Sequence, residues 1–410
     1  MAYSLYTLIM RVLLIHNYYQ QRGGEDVIFE QEVDLLRENG IAVETLIFTN
    51  DQFDGTMLGN AQSAMQSFFN WQSAKRLDLV IRQFRPDVVH IHNLFYTASA
   101  AVIWAAKKRG IPVVMTLHNY RLVCVNGLLM REGEIPCEQC LTRLVALPGV
   151  RHACFRDSSV QSAHLSAITL LHKLTGIWQR VDRFLVVTDF ARQKMLSSSL
   201  TLRPDQLSVK PNFVADAGYV NPIDREDFFL YVGRLTFEKG IGVLLDAARM
   251  ADFSIDIIGD GPLVSEVIQS AEHTPTIRYR GQQPRQIVLE ALKRCRALIV
   301  PSLWYEGLPT VILEAFATGT PVICSDQQNL NEIVKDNYSG LLFRAGDSRD
   351  LCRVIRDFIQ HVPNQQRLAQ NAYREFQTRY TRTISLRATL TIYEEVIANR
   401  QLFNLVEQPT

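Results

Sequence analysis

With 410 residues the chain has room for two domains of ordinary size, and 47% hydrophobic against 21% charged residues is the balance of a soluble globular protein. A formal net charge of +1 excludes the basic excess that a nucleic-acid partner requires, and no apolar run approaches the length of a membrane-spanning helix. The apolar start from Met1 to Tyr19 is interrupted by Arg11 and His16 and lacks both a basic leader and a small-residue cleavage site, so it does not read as a signal peptide. Seven cysteines without an export signal then lead us to expect a reducing, cytoplasmic location.

The first strand reads from Arg11 to His16, with residues 1–9 as a short extra tail or a misplaced start. A loop carrying Gly23 and Gly24 follows, and Val27, Phe29, Val33, Leu35 and Leu36 fall on one face of a helix that Gly40 ends. Strand, glycine loop and helix make the opening unit of a doubly wound domain. The loop is not G-x-G-x-x-G, so a nicotinamide or flavin cofactor gains little support. Alternation continues with a strand from Ala42 to Phe48, helical stretches to Phe84, and a strand from Asp87 to Ile91 that ends in His92 and Asn93. A helix over Thr97 to Lys108 leads to the strand Val113 to Leu117, with His118 at its carboxyl end. Such an edge is where ligands of these units lie, and a mostly neutral imidazole there can hydrogen-bond a hydroxyl.

The segment from Cys124 to Arg156 has no clear periodicity and holds Cys124, Cys137, Cys140 and Cys154. Their spacing is compatible with a tetrahedral structural zinc site, or with reduced thiols in a loop insertion. One long helix is expected from Ser158 to Gln179, with Leu165, Ile168, Leu171, Leu174 and Trp178 as a packing stripe. Arg183 to Val187 is the next strand, and the acidic, polar stretch Ala215 to Asp227 is the expected domain boundary.

The second half repeats the alternation. A strand from Phe228 ends at Gly233, and Arg234 and Lys239 frame the turn into the next helix; a guanidinium fork and a mobile ammonium suit a diphosphate. Ser254 to Ile258 runs into a tight turn of Gly259, Asp260, Gly261 and Pro262. A strand at Ile277 to Arg280, a helix to Cys295 and a short strand over Ala297 to Val300 come next. Glu306 then lies in a loop, Pro309 opens a helix that carries Glu314, Gly319 closes it, and Val322 to Cys324 is the next strand. Side chains lean toward a helix's start, so Glu314 can reach a ligand held there, where free N–H groups favour a phosphate. Leu351 to Leu402 reads as mostly helical, with a break at Pro363.

The run P-S-x-x-x-E-G-L-P-x-x-x-x-E-A-x-A-x-G-x-P-V around Glu306 and Glu314, with G-R-x-x-x-x-K-G around Arg234 and Lys239, resembles the signature of glycosyltransferase family 4. The resemblance implies an α/β GT-B fold: two doubly wound Rossmann-like domains facing each other across a cleft. We expect an acceptor-side domain over 10–214 with a cysteine-bearing insertion at 120–157, a nucleotide-sugar-binding domain over 215–385, and a last helix, 386–410, returning to the first. It implies a retaining transferase that moves a sugar from a UDP- or GDP-linked donor to a glycan or lipid-linked acceptor, in cell-envelope or exopolysaccharide synthesis. Arg234 and Lys239 would neutralise the leaving diphosphate, Glu306 would contact the donor sugar and Glu314 the ribose, with Gly307, Leu308, Thr310 and Gly261 completing the donor set. His118 would lie close to the transferred sugar, and Gly23 and Gly24 near donor phosphate and acceptor. No Asp-x-Asp occurs, so the two cations would replace a metal and no cofactor would be required. One departure is Leu308 followed by Pro309, where many relatives carry an aromatic residue and glycine. The other reading of the same residues is a non-catalytic sugar-nucleotide-binding or scaffold protein, and peripheral association with the inner face of a membrane stays open.

Overall fold

The computed structural model describes residues 10–19, 23–50, 66–131 and 136–406. The chain divides into two compact units, the first comprising Met1–Leu128, Glu138–Lys210 and Leu386–Thr410, the second Leu129–Cys137 and Pro211–Ser385. The second stretch of helix expected before Trp71 lies mostly outside the described residues.

In the first unit six parallel strands, β1 (Arg11–Tyr18), β2 (Ala42–Thr49), β3 (Val88–Ile91), β4 (Val113–Leu117), β5 (Arg183–Val186) and β6 (Leu207–Val209), take the order β2-β1-β3-β4-β5-β6. Val12, Leu13, Leu14 and Ile15 are fully buried, which requires cover on both faces, and this is why central strands of such sheets are continuously apolar. The helix Gly24–Glu38 begins with Gly23 at its N-cap, where Asp26 Oδ2 accepts from the Gly23 N–H at 2.8 Å. Leu386 onward belongs to this unit; Leu390, Tyr393 and Val396 are buried, and Glu395 pairs with Arg183 at 3.1 Å.

The second unit has β7 (Phe229–Val232), β8 (Ile255–Ile258), β9 (Ile277–Gly281), β10 (Leu298–Val300), β11 (Val322–Asp326) and β12 (Gly340–Arg344) in the order β12-β11-β10-β7-β8-β9. Phe229, Tyr231, Ile255, Ile257 and Ile323 share one core with Phe343, Leu351, Phe358 and Leu368. Arg225 ties the chain's entry to it, donating to the carbonyls of Val220, Leu292, Cys295 and Thr318 and to Thr320 Oγ1.

Three expectations need correction. The long helix stops at Leu174, because Gly176 takes φ +62°, and a separate 3-10 turn carries Trp178. Its stripe divides accordingly: Leu165, Ile168 and Trp178 are buried, while Leu171 and Leu174 stand exposed at 40% and 66%. The helix expected from Thr97 begins at Ala101, after a hydrogen-bonded turn from Leu94 to Ser99. The helix expected to open at Pro309 starts at Thr310, Pro309 being its N-cap.

Candidate active site

Each sheet has one place where chain connections run off in opposite directions, and clefts open there beyond the strands' carboxyl ends. In the second unit this point lies between β7 and β10, and the loops leaving those strands carry Arg234, Lys239 and Glu306. Lys239 Nζ donates to both carboxylate oxygens of Glu306, at 2.7 and 2.9 Å, and lies 5.3 Å from the Trp304 ring centroid. Ser302 Oγ donates to Glu306 Oε1 at 2.6 Å, and Asn329 Nδ2 holds the Glu306 carbonyl at 2.6 Å. The Glu306 carboxylate is buried and held by Lys239 and Ser302, while Asn329 fixes the backbone that carries it.

Arg234 is exposed, and its guanidinium has no ion pair among the described residues. Its backbone is held in place: Tyr231 OH donates to the Arg234 carbonyl at 2.8 Å, and Leu235 N–H donates to the Asp260 carbonyl at 2.9 Å. Gly261 has φ +155°, and a Cβ there would sit 2.6 Å from the Leu235 carbonyl oxygen, so the glycine turn exists to let two loops touch. Gly240 is tighter still. With φ +71° it brings the Lys239 loop against Pro301, whose carbonyl oxygen would be 1.8 Å from an added Cβ. Gly240→Ala is therefore expected to cost at least about 2 kcal/mol from the left-handed backbone alone, and more from the collision. Gly242→Ala, where a Cβ meets nothing, is the control; equal denaturation midpoints for the two variants would refute this account.

The helix Thr310–Ala317 starts beside these loops with no side-chain cap on its first turn. Glu314, within it, is buried and accepts from Arg285 Nε at 2.8 Å through Oε1. Burial raises its carboxyl above the ordinary value, and the Arg285 charge only partly offsets that.

In the first unit the corresponding point lies between β1 and β3. Neither Gly23 nor Gly24 has positive φ, and a Cβ on either meets nothing among the described residues, so none of these demands glycine there. Glu25, in the same first helical turn, accepts from Tyr19 OH and Asn119 Nδ2, both at 3.3 Å, and burial above all pushes its carboxyl up to about 8. Deeper in, His16 and Asp26 form a buried pair at 2.7 Å. Glu32 pairs with Lys210 at 2.8 Å, and His90, His92 and His118 gather around it. Burial alone would raise the Glu32 carboxyl, yet the Lys210 charge above all offsets it and holds the group below its ordinary value.

Sequence reasoning singled out His118 and its neighbour His92 but missed this network. The available signal was Glu32 itself, a carboxylate on the apolar face that Ile28, Phe29, Val33 and Leu36 define. Ser302 stands in the motif that carries Glu306, whereas Lys210, Arg285 and Tyr393 gave no comparable sign.

Among the described residues no group of three metal-ligand donors includes Cys124, Cys137, Cys140 or Cys154. Cys140 lies in an apolar cluster with Val125, Ala146, Leu165 and Ile168, and the Cys124 thiol donates to Asn126 Oδ1. Zinc needs four donors converging on one point. Among the described residues the one group that brings three such donors together is Glu32, His90 and His92. There both His90 nitrogens are engaged by Tyr393 and Thr116 and Glu32 Oε2 by Lys210, which leaves only Glu32 Oε1 and His92 Nε2 without a hydrogen-bond partner, two donors where zinc takes four.

Residues 36–217 match the family described as Glycosyltransferase Family 4, and residues 220–375 match Glycosyl transferases group 1. An uncharacterized glycosyltransferase of Methanocaldococcus jannaschii is 24% identical over 95% of this chain and 99% of its own length. The UDP-Gal:alpha-D-GlcNAc-diphosphoundecaprenol alpha-1,3-galactosyltransferase of Escherichia coli is 23% identical over 77% of this chain and 84% of that protein. The structure of Anabaena HepE in complex with UDP and glucose superposes with a TM-score of 0.65 at 17% identity, covering 94% of this chain and 100% of HepE. The chain belongs to glycosyltransferase family 4 and has the GT-B fold.

Proposed function

We propose that this glycosyltransferase transfers a hexose with retention from a nucleoside-diphosphate sugar to a lipid-linked glycan. The observation that carries the reading is the buried Glu306 carboxylate, locked by Lys239 and Ser302 next to an unpaired Arg234, at the second sheet's switch point. An ammonium has three protons and Glu306 takes two, so the third remains for a diphosphate oxygen that Arg234 also reaches. Two fixed cations meet the charge that develops on the leaving group, which takes the place of a metal. Glu306 would orient the donor sugar's hydroxyls. Glu314 Oε2, not used by Arg285, would take the ribose, with Gly307, Leu308 and Thr310 supplying backbone around the helix start. The open space at Gly23 and Gly24 suits the close approach of donor phosphate or acceptor.

Uridine diphosphate is the first nucleotide to test, since HepE is described with UDP and the Escherichia coli relative with UDP-Gal. Thermal stabilisation by UDP and GDP, with Lys239→Ala alongside, tests the reading, because a ligand that binds only the native state raises its stability by mass action. Stabilisation by one base, abolished in the variant, supports it. No shift at millimolar nucleotide would favour the scaffold reading instead.

The acceptor side gains support from one surface. The helix Ser159–Leu174 exposes Val160, Ala163, Ala167, Leu171 and Leu174 on one face, next to exposed Leu144 and Leu147. Arg143, Arg151 and Lys173 flank it, and Lys173 Nζ donates to the Arg143 and Leu144 carbonyls. No helix among the described residues is long and apolar enough to cross a membrane, whereas an apolar face rimmed by cations suits an anionic lipid surface. The protein is expected to sediment with vesicles containing phosphatidylglycerol and to be released by Leu171→Glu/Leu174→Glu; equal sedimentation with purely zwitterionic vesicles would count against it.

A further inference from the structure

The polar cluster below the first sheet's carboxyl edge restricts where its protons can sit. His90 is fully committed, with Nδ1 2.6 Å from Tyr393 OH and Nε2 2.8 Å from Thr116 Oγ1. His92 Nδ1 faces His118 Nε2 at 3.2 Å, the rings stacked with centroids 5.4 Å apart. His92 Nε2 is buried with no hydrogen-bond partner, and the charge facing it is Glu32 Oε2 at 3.8 Å. Glu32 is kept ionised by Lys210. The remaining titratable groups nearby are His16, edge-on to His92 at 6.5 Å, and Asp26, which pairs with His16.

Burial before anything else drives the basicity of His118 down to about 3 and those of His90 and His92 well below the ordinary value. Each ring is therefore neutral near pH 7 and carries a single N–H. In the contact between His92 and His118 one nitrogen donates and the other accepts, which leaves two arrangements. If His92 donates from Nδ1, its Nε2 lone pair points at a buried carboxylate with no proton between them. If His118 donates from Nε2, His92 turns an Nε2–H toward Glu32. At 3.8 Å this is no hydrogen bond, but in a poorly screened interior the sign of that electrostatic contact decides the arrangement.

We propose that Glu32 sets the tautomer of His118 through His92, so that His118 keeps the lone pair of Nδ1 for a hydroxyl of the bound sugar or acceptor. Among the described residues Nδ1 of His118 has no other partner. Glu32 and His92 are positioning residues, and His118 is then an acceptor toward its ligand rather than a donor. The catalytic consequence rests on the transferase reading; the tautomer does not.

The test is a two-bond proton–nitrogen correlation spectrum of protein labelled with nitrogen-15 histidine, His118 being assigned by the signals lost in His118→Gln. The expected spectrum shows His118 protonated at Nε2 and bare at Nδ1. In Glu32→Leu, which takes the carboxylate away from His92 Nε2, His118 is no longer held in that one form, its Nδ1 becomes protonated in part, and kcat falls at least about tenfold while donor KM changes less, as for a triad imidazole deprived of its carboxylate. His118 protonated at Nδ1 in the wild type overturns the proposal, as does an unchanged pattern in Glu32→Leu. A changed pattern with undiminished turnover overturns its catalytic part. Should Glu32→Leu fail to fold, Glu32→Leu/Lys210→Met leaves no unmatched charge and gives the same readout. The spectra decide the matter even if no donor sugar supports turnover, so failure of the transferase reading stays distinguishable.

Discussion

Replacing Lys239 with alanine is expected to lower turnover on the order of a thousandfold and to destabilise the second unit by about 2 kcal/mol. Two causes act together. In the proposed function a fixed cation at the leaving diphosphate is lost, and the buried Glu306 carboxylate keeps only Ser302 Oγ as a partner. Breaking a buried pair from one side costs about 3–5 kcal/mol, and the lower figure is used because Lys239 is 20% exposed and water screens part of the loss. The double variant Lys239→Met/Glu306→Gln separates the causes. It removes the orphaned charge, so its denaturation midpoint should return close to wild type, while turnover stays at the level of the single variant. A double variant that recovers turnover along with stability would show Lys239 to be a structural partner of Glu306 and nothing more. Recovery of neither would mean that the loop around Trp304 and Asn329 needs the pair to hold its shape.

The doubly wound halves were legible because their physics is local. Continuous apolar runs such as Val12 to Ile15 permit only a strand covered on both faces, and glycines at Gly40 and Gly319 mark where helices end. The failures share a cause. The periodicity from Ser158 to Gln179 is real, but whether a glycine within it turns the chain depends on the packing of the residues beyond it, and Gly176 does turn it. Burial of that stripe was not legible either: Leu171 looks like Leu165 in sequence, and only the packing shows that one faces solvent.

At the site, residue identities were readable and pairings were not. Arg234, Lys239, Glu306 and Glu314 announce themselves by motif, yet Lys239 and Glu306 lie 67 positions apart, and their direct bond depends on β7 and β10 being neighbours. Arg285 reaches Glu314 across 29 positions from a helix with no motif. Spacing along an irregular segment carries no distance either, so the cysteine spacing could not show that the chain places Cys140 in an apolar cluster.

The largest stability effect is expected at Lys210, 178 positions from the Glu32 it pairs with and 5% exposed. Lys210→Met leaves the Glu32 carboxylate buried without its cation, at a cost of about 3–5 kcal/mol near pH 7. The pH dependence carries the signature. In the wild type the folded Glu32 carboxyl titrates below its unfolded counterpart, so its contribution is complete above the unfolded value, near 4.5, and is lost as pH falls through the folded one. Without Lys210, burial becomes the dominant influence and lifts the carboxyl above its unfolded value. The variant then gains stability as pH falls from neutrality toward 4.5, because protonation removes the unpaired charge. Urea denaturation of both proteins at about pH 7 and pH 5 should therefore show a gap that narrows on acidification. A gap independent of pH would mean that Lys210 stabilises the unit by packing its stem rather than through Glu32. Glu32→Leu/Lys210→Met should restore most of the stability at both pH values, since an apolar pair of similar volume escapes the desolvation penalty that the charges incur. It should nevertheless lose the His118 tautomer, which would show the buried pair to be kept for the site above it rather than for the fold.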